Sequence, residues 1–516
     1  MSTDSEPQET APPAAVDRGR LLGHLKNTIK HGTVYTLGMV LSRLVGFVMI
    51  PVYTRVLTPN DYGVLEMLSL TTDVLALLIG LGIGQAVIRY YYRYDSPAEQ
   101  GAVVSTAAAL LLALCALAAA AGIALAGPLG RLLLGTEEST GLVRLSVIGF
   151  VLSTTMEVPM AYLRARQRSA TVVALSLGRL LAGLGCNVLF VVVLRWGVAG
   201  VLVSSIIASG TFGAYMMITT VRETGLRFST PILRQLISYG APLVVWDLGS
   251  FVLHYSDRYF LRTYASLDAV GLYSLSYKLA MLIPMFVSGP FNAIWIAKAL
   301  EVDRREGPHA GPILIAILRY FNIVLVTVAF GIALFAEEAL RIATGAAFHG
   351  AAGPVPVLAV AMVFFSYRSM SQIGSLIKER TRQIAATTAL AAVVALALNF
   401  LLIPRWGAHG AALATAGSFI VEFFVMRSLS ERVYPLRLGL GLLLGPLAMA
   451  SVVWLATRVV VSPGGPMLVG IAVKLAAVAL FGGGLLVAGA VPREDLGLVR
   501  EAIRQPGNVL RALRRA

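Results

Sequence analysis

The sequence predicts an all-α integral membrane protein of about fourteen transmembrane helices: two six-helix lobes related as a parallel repeat, plus two additional C-terminal helices. Three observations carry that reading. The 516 residues are 57% hydrophobic and 13% charged, with a mean hydropathy of +0.78, whereas a soluble domain carries about 25% charged residues. Apolar runs of about twenty residues, enough to span a bilayer, are centred near residues 44, 76, 114, 152, 182, 208, 251, 282, 324, 365, 392, 418, 447 and 479. Finally, Arg-Trp-Gly-x-x-Gly occurs at 195–200 and again at 405–410, each time leading into a helix rich in small residues. Trp appears five times in the chain, so two in one hexapeptide pattern point to an internal repeat.

Residues 1–30 are polar and Pro-rich and read as a disordered cytoplasmic tail. The first apolar run is too long for a signal-peptide core and is followed by others, so it is expected to stay in the membrane. Residues 31–222 form the first six-helix lobe, 223–430 the second and 431–490 the two additional helices. Residues 491–516 make a basic amphipathic tail, suited either to an anionic inner leaflet or, solvated, to holding the topology.

Other landmarks recur at nearly the same offset. "RARQR" (164–168) aligns with "KERTR" (378–382), offset 214, and the turn "LTPNDYGVLEML" (57–68) with "YASLDAVGLYSL" (264–275), where Gly63 and Gly271 are 208 apart. Six spans per lobe leave both lobes in one orientation, as in transporters built from parallel repeats. The Arg-Trp-Gly element itself reads as structural, with Trp at the interface and Gly in the turn.

Cation placement sets the orientation. With the N-terminus inside, 28 of the 42 Lys and Arg fall in cytoplasmic segments, nine on the outer side, Arg258 and Arg262 among them, and five within spans. Retention of Lys and Arg in cytoplasmic loops then places both termini in the cytoplasm. The net charge of +15 follows this pattern, so no nucleic acid is expected as a partner. Cys115 and Cys186 sit in apolar runs and offer neither a disulfide framework nor a metal site. There is no GxxxxGK[ST] loop and hence no ATP site, nor an HExxH or nucleophile elbow. The chain reads as a carrier, not an enzyme. It is expected to need no cofactor and to run on an ion gradient, the membrane potential or the substrate gradient.

Charges at bilayer depth normally face a cavity or a partner. The basic ones are Arg43, Arg179, Lys278, Arg368 and Lys474; the acidic ones are Asp73, Glu157, Asp247 and Glu422. Asp247, Ser250, His254 and then Asp257 or Arg258 form one helical stripe, and so do Arg368, Gln372, Ser375 and Glu379. Ser176, Arg179 and Gly183 make a milder stripe, and Tyr35, Ser42, Arg43, Gly46 and Tyr53 another. Four wet faces drawn from both lobes predict a water-filled cavity between them. Because cations outnumber carboxylates, Arg43, Arg179, Lys278 and Arg368 are expected to leave that cavity net basic and to hold an anion. Phosphate is the anion that Arg recognises best. Asp73, Asp247, Ser250, His254 and Gln372 are the polar and ion-coupling candidates. The competing reading for each charge is an ion pair that only fixes packing, and Lys474 is expected to snorkel. Tyr35, Tyr53, Trp246, Tyr273, Tyr277 and Trp295 are candidates for stacking on sugars, and Pro51, Pro159, Pro242, Pro284 and Pro290 for bends.

At "LSRLVGFVMIPVYTRVLTPNDYGVLEML" (41–68) the chain resembles the polysaccharide or oligosaccharide flippases, a branch of the multidrug/oligosaccharidyl-lipid/polysaccharide exporter superfamily. Ser42, Arg43, Gly46, Phe47, Tyr53, Thr54, Arg55, Leu57, Thr58, Pro59, Asp61, Tyr62 and Gly63 fill that family's first-span pattern. "VGLYSLSYKLAML" (270–282) and the "RWGxxGAA" turn are also similar to it. The resemblance implies two lobes in a V that open alternately to either side of a bacterial inner membrane. It implies a polyprenyl-pyrophosphate-linked glycan as cargo, membrane lipids around it, and glycan polymerase or glycosyltransferase machinery as partners. Arg43 matches an arginine that related lipid II flippases place in a cationic cavity. A lipid II flippase and a multidrug or cation exporter are the alternatives; a membrane glycan polymerase or ligase would need a large outer loop that the sequence lacks.

Overall fold

The computed structural model describes residues 49–436, 438–461 and 467–490. Among these residues every regular element is helical. The first lobe contains α1 (Pro59–Gly80), α2 (Ile83–Tyr91), α3 (Pro97–Ala124), α4 (Ala126–Leu134), α5 (Thr140–Thr154), α6 (Glu157–Ala165), α7 (Ser169–Asn187) and α8 (Gly197–Thr224). The second contains α9 (Thr230–Tyr264), α10 (Leu267–Ala280), α11 (Gly289–Glu306), α12 (Ala310–Ala343), α13 (Val355–Ser371), α14 (Ile373–Ile377) and α15 (Thr381–Val433). The additional pair is α16 (Leu440–Val460) and α17 (Met467–Val487).

Eleven of the described segments are long and apolar enough to cross a membrane. Three features account for the difference from fourteen. Most of the first span lies outside the described residues. α9 carries Arg234, Asp247, Asp257, Arg258 and Arg262 and is not among the eleven. And α15, at 53 residues, joins two spans across Gly407 (φ 52°).

The repeated motifs are repeated local solutions. Arg-Trp-Gly turns the chain back between two helices, with Gly197 at φ 56° and Gly407 at φ 52°, a region that costs a residue with a Cβ about 1–2 kcal/mol. Trp196 and Trp406 stay exposed, at 50% and 55%. The turns before Gly63 and Gly271 are helix caps. The Thr58 hydroxyl accepts from the Asp61 amide (3.2 Å) while the Asp61 carboxylate accepts from the Thr58 amide (2.9 Å). At the equivalent place the Ser266 hydroxyl accepts from the Ala269 amide (3.1 Å).

The basic turns repeat in a different register from the one expected. Gln167 and Glu379 both sit at φ 55° between two flanking cations, so Arg166 matches Lys378 and Arg168 matches Arg380. The offset is 212 rather than 214, because the left-handed residue, not the first cation, marks equivalent positions.

The lobes pack through α1 on α10 and through the first third of α9, which lies on α2 and α3. Arg89 sits over the Tyr239 ring (4.9 Å), and the Ser229 amide donates to Thr106 (3.1 Å). The additional helices dock on α12, where Lys474 donates to both oxygens of Glu338 (2.6 and 2.7 Å). Lys474 is 7% exposed and so does not snorkel; the half-buried Glu338 carboxylate reaches it first. Arg258 also differs from expectation. It is not on an outer connection but inside α9, 1% exposed, paired with Asp257 (2.6 Å) and 4.0 Å from the Tyr277 ring centre.

Candidate functional site

A cavity of about 780 Å³ opens within the first lobe, and among the described residues only Asp247 of α9 and Lys278 of α10 reach it from the second. Its longest wall is one stripe of α1: Tyr62, Glu66, Ser69, Asp73, Ala76 and Gly80, spaced four, three, four, three and four residues apart. Ser146, Ser153 and Glu157 face it from α5 and α6, Arg164 and Arg179 from α6 and α7, and Ser205 from α8. Where α1 gives way to α2 the lining includes Gly80, Gly82 and Gly84. α1 ends at Leu81 and Gly82, both left-handed (φ 42° and 57°), and α2 restarts at Ile83. A Cβ on Gly240 of α9 would lie 1.7 Å from the Leu81 carbonyl oxygen, so α9 packs directly against this break. The break holds no proline. Of the expected bends, Pro159 and Pro290 lie in the first turns of helices, where the missing N–H costs nothing, and Pro284 opens a short π-helical turn.

Of the predicted site residues, Arg179, Lys278, Asp73 and Asp247 line this cavity. Arg43 lies outside the described residues, as do Tyr35 and Ser42. Arg368 is not in the cavity: it donates to the fully buried Glu422 (2.9 Å) and to Thr388 (3.4 Å) inside the second lobe. His254 is boxed by Phe365 and Phe419, with ring centres 5.2 and 5.3 Å away, and contacts the Tyr277 hydroxyl (3.4 Å). Ser250 is half-buried on α9 and Gln372 sits at the α13–α14 junction; neither lines the cavity. Tyr53 does, whereas Tyr273, Tyr277 and Trp295 are core residues at 0%, 4% and 2% exposure.

The described part of the cavity does not by itself carry the expected cationic excess, while Arg43, one of the expected cations, lies outside the described residues. Among the described lining residues, Glu66, Asp73, Glu157 and Asp247 face Arg164, Arg179 and Lys278. Lys278 is moreover engaged, donating to Glu66 at 3.1 Å. Arg164 and Arg179 have no ion-pair partner within 4 Å among the described residues. No cluster of three or more His, Cys, Asp or Glu able to hold a metal occurs among the described residues.

On the side that the cation bias assigns to the outside, α1 and α10 close over the cavity. A Cβ on Gly63 would lie 2.0 Å from the Leu267 carbonyl oxygen, and one on Gly271 would lie 2.0 Å from that of Pro59. Each glycine therefore meets the other helix at the position equivalent to its partner's contact. Asn60 and Asp268, again 208 apart, touch across the crossing at 3.5 Å. This is the contact pattern of a twofold axis. Arg262 adds a contact to the first lobe, donating to the Leu133 carbonyl at the end of α4 (2.9 Å).

Among curated proteins, the chain is similar to an uncharacterized membrane protein of Haemophilus influenzae, 21% identical over 266 residues, which are 50% of this chain and 62% of that one. It is also similar to the probable low-salt glycan biosynthesis flippase Agl15 of Haloferax volcanii, 23% identical over 189 residues, 37% of this chain and 40% of that one. The chain thus spans less than two thirds of the length of these relatives. Its fold resembles that of the lipid II flippase MurJ in an inward closed conformation (TM-score 0.69, 12% identity, 87% of this chain and 98% of that one). It also resembles an inward-facing multidrug resistance MATE family transporter of the MOP superfamily (TM-score 0.63, 16% identity, 77% and 95%). These likenesses extend to the fold, an all-α multi-pass membrane architecture. A family model described as "Polysaccharide biosynthesis protein" matches residues 28–296, over half of the chain, and the chain belongs to that family.

Proposed function

We propose that this protein carries a polyprenyl-pyrophosphate-linked oligosaccharide from the cytoplasmic to the outer leaflet of a bacterial inner membrane by alternating access, as a carrier rather than an enzyme. The observation that supports this most is the cavity of about 780 Å³. It is closed on one side by the α1–α10 crossing and walled by hydroxyls, carboxylates and two cations without ion-pair partners among the described residues. Arg164 and Arg179 would take the phosphate oxygens, with Arg43 of the first span as a further cation. The carboxylates, Gln85 and the Ser and Thr hydroxyls of the wall suit the hydroxyls of a glycan. The polyprenyl chain would stay in lipid.

The test is a sidedness assay on spheroplasts with and without the protein, using an impermeant glycosidase. Depletion should trap the glycolipid on the cytoplasmic face; an unchanged outer-leaflet pool overturns the proposal. One observation favours a second reading. Four carboxylates line the cavity, the chemistry that export of an organic cation requires, and proton-gradient-dependent efflux of such a cation from vesicles would support it.

A further inference from the structure

The seal and the cavity meet at one residue. The α1–α10 crossing is symmetric at Pro59, Gly63, Leu267 and Gly271, but one turn deeper the symmetry ends. At the same offset of 208, Glu66 corresponds to Ser274 and Lys278 to Leu70. The ion pair between Glu66 and Lys278 is therefore an addition to the duplicated plan. It joins α1 of one lobe to α10 of the other, and both side chains line the cavity. The Lys278 ammonium donates to Glu66 (3.1 Å) and to the Tyr62 hydroxyl (3.4 Å), and lies 4.6 Å from the Tyr62 ring centre. Tyr62 is itself fixed edge-on against Phe348 of the second lobe (5.7 Å). The two partners are unequally accessible: the Lys278 side chain is 43% exposed, that of Glu66 13%.

Opening the outer side requires α1 to leave α10, which draws Glu66 away from Lys278 and leaves both charges without their partner, the Glu66 carboxylate being the less solvated of the two. We infer that Lys278 serves the seal and the substrate in turn: Glu66 holds it while the seal is shut, and the entering anionic group of the substrate takes it over. The inference rests on the reading of the cavity as a path for an anion. A phosphate on the exposed side of Lys278 repels the Glu66 carboxylate and supplies the counter-charge that the opened arrangement lacks. The substrate thereby binds the outward-open state better than the closed one, the condition under which a ligand shifts a two-state equilibrium. Arg164 and Arg179, on the first lobe alone, make the first contact.

The test uses full-length protein in nanodiscs, with Cys115→Ser and Cys186→Ser removing the native thiols and Asn60→Cys and Asp268→Cys reporting the seal. The rate of cross-linking by a short bis-methanethiosulfonate is followed with and without inorganic pyrophosphate, at ionic strength matched by sodium chloride. Pyrophosphate binding is measured in parallel by calorimetry. Pyrophosphate should slow cross-linking at least fivefold. Glu66→Gln should cross-link slowly without ligand, Lys278→Gln should lose the response, and Lys278→Arg should keep it. Pyrophosphate that binds yet leaves the rate unchanged, or a Glu66→Gln rate equal to that of the parent, overturns the shared role and leaves the anion path standing. Absence of pyrophosphate binding overturns the anion path and this inference with it.

Discussion

The two lobes are written on one plan and have opposite interiors. In the first, Arg179 and Asp73 line the cavity and have no ion-pair partner within 4 Å among the described residues. In the second, the corresponding depth is consumed by its own pairs. Asp257 accepts from Arg258 (2.6 Å), from the Tyr273 hydroxyl (2.6 Å) and from Thr415 (3.1 Å). Glu422 accepts from Arg368 and Thr388, each at 2.9 Å. Phe364, Phe365, Phe419 and Phe423 fill the space around them. Intramembrane charge is thus evidence of a wet site only where the lobe fails to supply a partner. One lobe holds the cavity, and the other spends its intramembrane charges on its own packing.

The strongest way to break that comparison is to unpair the second lobe. Arg368→Ala leaves Glu422 buried without its counter-ion and should lower stability by about 3–5 kcal/mol, read as the thermal denaturation midpoint of the purified protein. If stability is unchanged and transport is lost, Arg368 belongs to the substrate path instead. Gly407→Ala comes next, forcing a Cβ into a left-handed turn at about 1–2 kcal/mol; Gly197→Ala should match it, and unequal costs would show that the two turns are no longer equivalent. Arg179→Ala has no ion pair to lose, so its stability should stay within about 1 kcal/mol of wild type while glycolipid reaching the outer leaflet falls at least tenfold. A large loss of stability there would move Arg179 from the cavity to the packing. The smallest effect belongs to Trp196→Phe and Trp406→Phe, both exposed, at about 0.5 kcal/mol or less with transport retained. Abolished transport from either would give the repeat a role beyond its turn.

Much of the fold was legible because it rests on local rules: apolar length for the spans, and glycine with a helix cap for the repeated turns. The site was legible in part. Asp73, Asp247, Arg179 and Lys278 were found as charges at membrane depth, but Glu66 was overlooked because it falls only seven residues after Pro59 and resembles an interfacial residue. A signal was present: Tyr62, Glu66, Ser69 and Asp73 follow the same helical stripe that singled out Asp247 and His254. What periodicity cannot supply is the partner of each face. Arg368 finds Glu422 at a separation of 54 residues and Lys278 finds Glu66 at 212, and only the packing of the helices decides which charges are spent. For the same reason the break at Leu81 and Gly82 escaped notice. One glycine beside a leucine is unremarkable until another helix backbone is seen pressed against it.

The crossing of α1 and α10 has a consequence for how such a molecule can be tuned. In a homodimer with this interface, every substitution at the axis would be made twice, so the contact could only be kept or lost as a whole. Fused into one chain, Gly63 and Gly271 are inherited separately, and either half of the contact can be loosened while its twin stays intact. The fused chain can therefore adjust this contact in half-steps that two identical subunits never have.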